Sequence, residues 1–233
     1  DYSYIFCILF SLLYFNLQSI QFGQATNLSN YEPTISRNPQ IAINNNGQAF
    51  AIWEEIKGGE VLKNIYARNY SNDFWGPASN LSSGFYSEYP QIAIDNQGNA
   101  LAIWLQNAGY ICTRRYSNES WSTRQLLSPY SAWDSKPQID MNNSGTGIAI
   151  WQEWDTGIYN IYSRLYTGIW EASTNLNHTT TMSATTPQVA INDNGIAMAI
   201  WAENNSGIYN TFTRTYSSGI WLSAENLNYM TTS

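Results

Sequence analysis

A chain of 233 residues with 43% hydrophobic content is long enough for one closed all-β domain or several small repeats. Its 10 Trp and 17 Tyr, with only 12% charged residues, exclude a disordered chain and describe a well-packed β protein with an uncharged polar surface. A net charge of -7 with no basic run excludes a nucleic-acid backbone as partner, and two cysteines, Cys7 and Cys112, supply no disulfide framework.

The chain opens on an uncharged apolar stretch, Tyr4 to Leu17, too short for the roughly 20 residues of a membrane-spanning helix. It suits the hydrophobic region of a secretory signal over residues 1–25, with Gly23 and Ala25 at the spacing of a cleavage site. The expectation is an exported protein, secreted or held at the cell surface or in a periplasm, with no membrane span after processing. No Lys or Arg precedes Arg37, so the basic start of a signal is missing, which suggests a start cut short. FGQATNLS from Phe22 also matches WGPASNLS from Trp75, so residues 22–29 read as an isolated outer strand as well.

From Pro39 onward one pattern recurs. PQIAINNNGQAFAIW at Pro39 returns as PQIAIDNQGNALAIW at Pro90, PQIDMNNSGTGIAIW at Pro137 and PQVAINDNGIAMAIW at Pro187. A period near 50 residues marks a repeat architecture. Within each copy an alternating strand leads into a four-residue turn ending in Gly47, Gly98, Gly145 or Gly195, and a second strand ends at the repeat Trp. The left-handed backbone that Gly accepts makes the two a hairpin. A third strand follows (NIYARNY at Asn64, YICTRRY at Tyr110, NIYSRLY at Asn160, NTFTRTY at Asn210). A fourth runs from Trp75, Trp121, Trp170 or Trp221 to a Leu six residues on.

Four antiparallel strands per repeat predict an all-β chain: a β-propeller with blades at 39–81, 90–127, 137–176 and 187–227. The stray strand at 22–29 lacks the three strands that should precede it. If it latches the ring by completing a blade begun at the other terminus, the intact protein has five blades or more and this chain is an incomplete arc.

The pattern resembles secreted bacterial propeller repeats of the P-Q-x-A-x-D-x-x-G-x-A-x-A-x-W kind, and more distantly the sialidase-like propellers with Asp-box turns. The likeness spans Phe22 to Leu227. An Asp box places its Gly two residues after the Asp, whereas Asp95 and Gly98 are three apart and only one of the four copies has Asp there. The resemblance implies the propeller but not sialidase activity, since the arginines and the Tyr/Glu pair of those enzymes have no identifiable counterparts.

No catalytic constellation stands out. The one His, His178, sits in a threonine loop without a nucleophile motif and reads as an exposed loop residue. No Cys/His cluster has metal spacing, the acidic turns lack the several carboxylates a hard cation wants, and no cofactor is expected. Cys112 takes the slot of Tyr66, Tyr162 and Phe212, the place of a small buried hydrophobe.

Two residues past the repeat Trp stands an acid or its amide: Glu55, Gln106, Glu153 and Glu203. These either ring a channel mouth, where they could bind a cation or sugar hydroxyls, or pair with the repeat arginines Arg68, Arg114, Arg164 and Arg214 as ties between blades. The second-to-third and blade-to-blade connections vary in length and emerge on one face, where recognition is normally built. They carry Trp154, Asp155, Trp133, Tyr86, Tyr110 and Tyr130; exposed aromatics beside polar groups suit sugar rings or a protein surface. The sequence thus points to a non-enzymatic recognition module for carbohydrate or a protein partner. One alternative is a glycoside hydrolase or lyase using Glu153, Asp155 and Glu203; another is a structural repeat of a larger surface protein.

Overall fold

The computed structural model describes residues 25–29, 34–129, 132, 135–155 and 157–228, all of them in strands, turns and irregular segments. Residues 1–24 of the proposed signal region, together with Trp133 and Tyr130, lie outside the described residues. No helix among those described is long and apolar enough to cross a membrane.

Each repeat folds as one antiparallel sheet, as the sequence predicts. The first comprises β1 (Thr34–Ile43), β2 (Ala49–Lys57), β3 (Asn64–Ser71), β4 (Phe74–Trp75) and β5 (Ser79–Asn80). The second comprises β6 (Ser87–Ile94), β7 (Ala100–Gln106), β8 (Tyr110–Ser117), β9 (Ser120–Trp121) and β10 (Gln125–Leu126). The third has β11 (Gln138–Met141), β12 (Gly147–Asp155), β13 (Ile158–Tyr166) and β14 (Thr174–Asn175). The fourth has β15 (Ser183–Ile191), β16 (Ala197–Asn205), β17 (Ile208–Ser217), β18 (Ile220–Trp221) and β19 (Glu225–Asn226).

The outer strand is not continuous. Tyr70 faces Trp75, yet Tyr66, four residues back on β3, faces Asn80, five residues on, so the outer strand carries one extra residue and bulges. The same offset recurs at Tyr216 and Phe212, which face Trp221 and Asn226. Beyond the bulge the backbone N–H of Leu81, Leu127, Leu176 or Leu227 returns to the third strand, holding that Leu over the sheet.

The sheets stack face against face. Phe50, Ile52, Ile65 and Leu81 of the first form one buried cluster with Ile92, Ile94, Trp104 and Cys112 of the second. Leu127 and Ile103 meet Trp151 across the next junction, and Leu176 and Ile150 meet Trp201 across the last. Each repeat Trp therefore faces the preceding sheet and is buried under its terminal Leu. Leu28 packs in the same way beside Trp53 and Tyr66, although residues 25–29 form no strand.

The four sheets do not close a ring among the described residues. Ile41 and Ile43 on the first sheet are 67% and 68% exposed, while Met198 and Leu227 on the fourth are 51% and 52% exposed. Their counterparts at the internal junctions, Ile92, Ile94, Leu101 and Leu176, are buried.

The Gly-ended turns also join neighbouring sheets. In each, the leading side-chain oxygen accepts the backbone N–H two and four residues on, as Asp95 does from Gln97 and Asn99 at 2.9 and 2.8 Å. Asn44 then donates to the Asp95 carbonyl at 2.9 Å, and Asn143 to the Asp193 carboxylate at 2.7 Å. Gly145 has φ +90°, and a Cβ there would sit 3.0 Å from the Asp95 carboxylate of the preceding sheet. Conformation and close approach both demand Gly at that position.

Candidate functional site

Strand alternation puts residues i and i+2 on one face, so the repeat Trp and the acid two residues later point the same way. The indole Nε1 of Trp53 donates to Glu55 Oε2 at 2.9 Å, that of Trp151 to Glu153 Oε2 at 2.8 Å, and that of Trp201 to Glu203 Oε1 at 2.9 Å. All three acids are buried, none more than 7% exposed. In this arrangement none of the three is open to solvent. Among the described residues neither Glu153 nor Glu203 is in an ion pair with a repeat arginine; Arg214 feels the Glu203 charge but donates to the Asn177 carbonyl at the end of the preceding sheet, at 3.1 Å.

The second sheet departs from this arrangement. Gln106 is equally buried, but its Oε1 accepts from Arg124 at 2.9 Å, and the Trp104 indole N–H has no partner among the described residues. Cys112, where the other sheets have an aromatic ring, lies in the same buried cluster as Trp104. Burial pushes its thiol up to about 12, against a smaller opposing pull from the Arg124 charge.

Three of the four second-to-third connections, which the sequence marks as variable loops, are tight hairpins. β12 continues to Asp155 and β13 starts at Ile158, with Trp154 paired to Tyr159. β16 and β17 turn through Ser206 and Gly207, both at positive φ, and β7 pairs Gln106 with Tyr110. Polar, Gly-containing spacers are compatible with either outcome, and the alternation resumes close enough to let the strands extend. Only the first sheet keeps a longer excursion, from Lys57 to Asn64.

The hairpin of the third sheet displays Trp154. Trp154 is 44% exposed, and its ring meets Tyr159 edge to face, with centroids 4.9 Å apart. Asp155 is half-buried and accepts the Tyr162 hydroxyl at 2.6 Å. Burial, that hydrogen bond and the charge of Asp155 raise Tyr162 to about 12. His178, exposed as expected, stacks on Phe212 at 4.7 Å, and its backbone N–H donates to Glu203.

Between the first and second sheets lies a charged cluster that the repeat pattern did not single out. Glu54, buried, accepts from the backbone N–H of Tyr89 at 2.8 Å and from the Asn38 amide at 2.6 Å. Lys63 binds Glu88 and lies 3.8 Å from Glu54, and the Tyr86 hydroxyl donates to Glu88 at 3.0 Å. Burial alone would lower the Lys63 ammonium, but the hydrogen bonds and negative charges around it raise it overall. Tyr86 is thus half-buried and engaged with the cluster. Comparing repeats position by position shows the signal: Glu54 stands where the other sheets have Leu105, Gln152 and Ala202.

The sequence-predicted residues therefore divide. Glu55, Gln106, Glu153 and Glu203 are buried within the scaffold, Asp155 and Tyr86 are bonded to neighbours, and Trp154 is open. Trp133 lies outside the described residues. No group of three or more His, Cys, Asp or Glu able to hold a metal occurs among the described residues.

No family model matches the chain, and no curated protein matches it. Solved structures do. A protein of unknown function from Dyadobacter fermentans aligns with TM-score 0.55 at 13% identity, over 84% of this chain and 70% of its own. An ulvan lyase, a polysaccharide lyase, aligns with TM-score 0.55 at 8% identity, over 81% of this chain and 57% of its own. An α-L-arabinofuranosidase of Fusarium graminearum in complex with arabinobiose aligns with TM-score 0.53 at 12% identity, over 80% of this chain and 64% of its own. The chain thus spans less than two thirds of either enzyme, and at these identities the shared feature is the architecture: this is a β-propeller fold of antiparallel four-stranded blades.

Proposed function

We propose that the chain is an exported β-propeller segment that binds carbohydrate without transforming it, through the end of the sheets that carries Trp154. The observation that carries this reading is the Trp154–Tyr159 pair on its tight hairpin. One ring is open to solvent and the other braces it, a preorganised platform for the apolar face of a sugar. The acids support a binding role over a catalytic one. Glu153 and Glu203 hold indole protons inside the scaffold, and Asp155 holds the Tyr162 hydroxyl, which leaves no open pair of carboxylates among them for glycoside cleavage.

A second reading, glycan cleavage, is favoured by the likeness to an ulvan lyase and an arabinofuranosidase. It requires carboxylates or other acid–base groups outside the Trp–Glu series.

Screening the protein on a glycan array, then titrating the strongest hit with wild type and Trp154→Ala, tests the proposal. Loss of the platform ring should weaken binding at least about tenfold, or roughly 1.4 kcal/mol. Equal affinity of the two proteins would remove Trp154 from the site.

A further inference from the structure

The groove along the outer flank of the junction between the second and third sheets differs from its neighbours. It is a cavity of about 470 Å³ lined by Arg114 and Arg115 of β8, Arg164 of β13, Gln125, Leu126 and Trp170, with no carboxylate in its lining. A second hollow of about 420 Å³ shares Arg115, Tyr166 and Gly168 with it, so the two form one extended cleft. The one acid lining the second hollow, Asp95, is committed: it accepts from the backbone N–H of Gln97 and Asn99 and from the Asn99 amide.

The guanidiniums of Arg115 and Arg164 lack protein partners among the described residues. Among those residues neither has an ion pair or a side-chain hydrogen bond, and the Nε of Arg164 is buried without an acceptor; Arg114, next to Arg115 on the strand, turns its side chain to the other face, towards Arg124. Arg214, whose Nε is likewise buried without an acceptor, differs in spending another guanidinium N–H on a neighbouring carbonyl. Arg115 also breaks the repeat, since β3, β13 and β17 place Asn69, Leu165 and Thr215 at the same register. Unpaired guanidiniums in a protein of net charge -7 are a local inversion of the electrostatic field.

We infer that this cleft is a second, separate site that binds an acidic sugar, its carboxylate or sulfate held by Arg115 and Arg164 and its ring laid against Trp170. A planar guanidinium matches either anion bidentately, and the indole with exposed Leu126 and Ile169 at the rim supplies apolar surface for a pyranose face. The extended cleft fits several sugar units in a row. The inference takes from the reading above only that the ligand is a carbohydrate; the site does not include Trp154.

Tetragalacturonate and a sulfated galactan tetrasaccharide, with maltotetraose as the neutral control, are titrated calorimetrically against wild type, Arg115→Gln and Arg115→Lys. The expected result is binding of one or both acidic probes, weakened by salt, at least about tenfold weaker in Arg115→Gln and intermediate in Arg115→Lys. Which probe binds identifies carboxylate or sulfate as the recognised group. Circular dichroism and thermal unfolding establish that the variants fold. Equal affinity for maltotetraose, no binding of either acidic probe, an unchanged affinity in Arg115→Gln, or equally tight binding of inorganic phosphate would each overturn the inference. The Trp154 platform is judged separately, by Trp154→Ala against the glycan found on the array, so the two can fail independently.

Discussion

The indole of Trp201 donates to Glu203 at 2.9 Å, two residues along the same strand, and the same carboxylate takes the backbone N–H of His178 from the preceding connection. One buried acid thereby fixes the rotamer of the largest core side chain and anchors the approach to the next sheet. Glu203→Ala leaves both donors without an acceptor in the interior, an expected loss of about 2 to 4 kcal/mol. Glu203→Gln keeps an acceptor and should cost roughly half as much or less. Urea denaturation of the two variants checks the order, and a double-mutant cycle with Trp201→Phe should return a coupling above about 0.5 kcal/mol.

The terminal Leu of each sheet is chemically the same but differently covered. Leu176 is fully buried under Trp201 and its neighbours, whereas Leu227 is 52% exposed. Leu176→Ala should destabilise by about 2 to 5 kcal/mol and Leu227→Ala by less than about 1 kcal/mol, both read from denaturation midpoints. Equal costs would contradict the stacking of sheets on one another.

Cys112 should be chemically silent in the folded protein. Its thiol is buried and held at about 12, so at pH 8 the peptide carrying it should stay unmodified by iodoacetamide until denaturant is added, as mass spectrometry of digests would show. The same shift fixes the sign of its alkaline effect. Above 9.0 the unfolded chain gains thiolate while the folded one does not, so this contribution to stability is complete below pH 9 and lost as the pH climbs towards 12. Cys112→Ala should flatten that part of the alkaline profile.

What the sequence made legible was whatever is local and periodic. The hairpin at Asn44 to Gly47 and its three copies could be placed because the leading Asn or Asp and the final Gly each satisfy a backbone need within five residues. The bulge in the outer strand could not, because it shows only when Tyr66 and Tyr70 are paired with their partners across the sheet.

The acid series stands out in the sequence as a set, but its indole partner was missed. Two residues apart on a strand means the same face, yet burial decides that Glu55 turns to an indole and away from solvent. Arg115 was invisible for a different reason: its significance comes from Arg164 and Trp170 on another sheet, 49 and 55 residues further along the chain.

Binding without turnover is the central functional claim, and one incubation tests it most directly. The glycan selected on the array is held with wild-type protein and with Glu153→Gln, and released reducing ends and unsaturated products are followed over a day. The account predicts retained ligand, no product above the protein-free control, and no difference between the two proteins. Product that accumulates with wild type above the protein-free control would contradict it, and its loss or persistence in Glu153→Gln, in a variant still folded by circular dichroism, would tell whether Glu153 takes part.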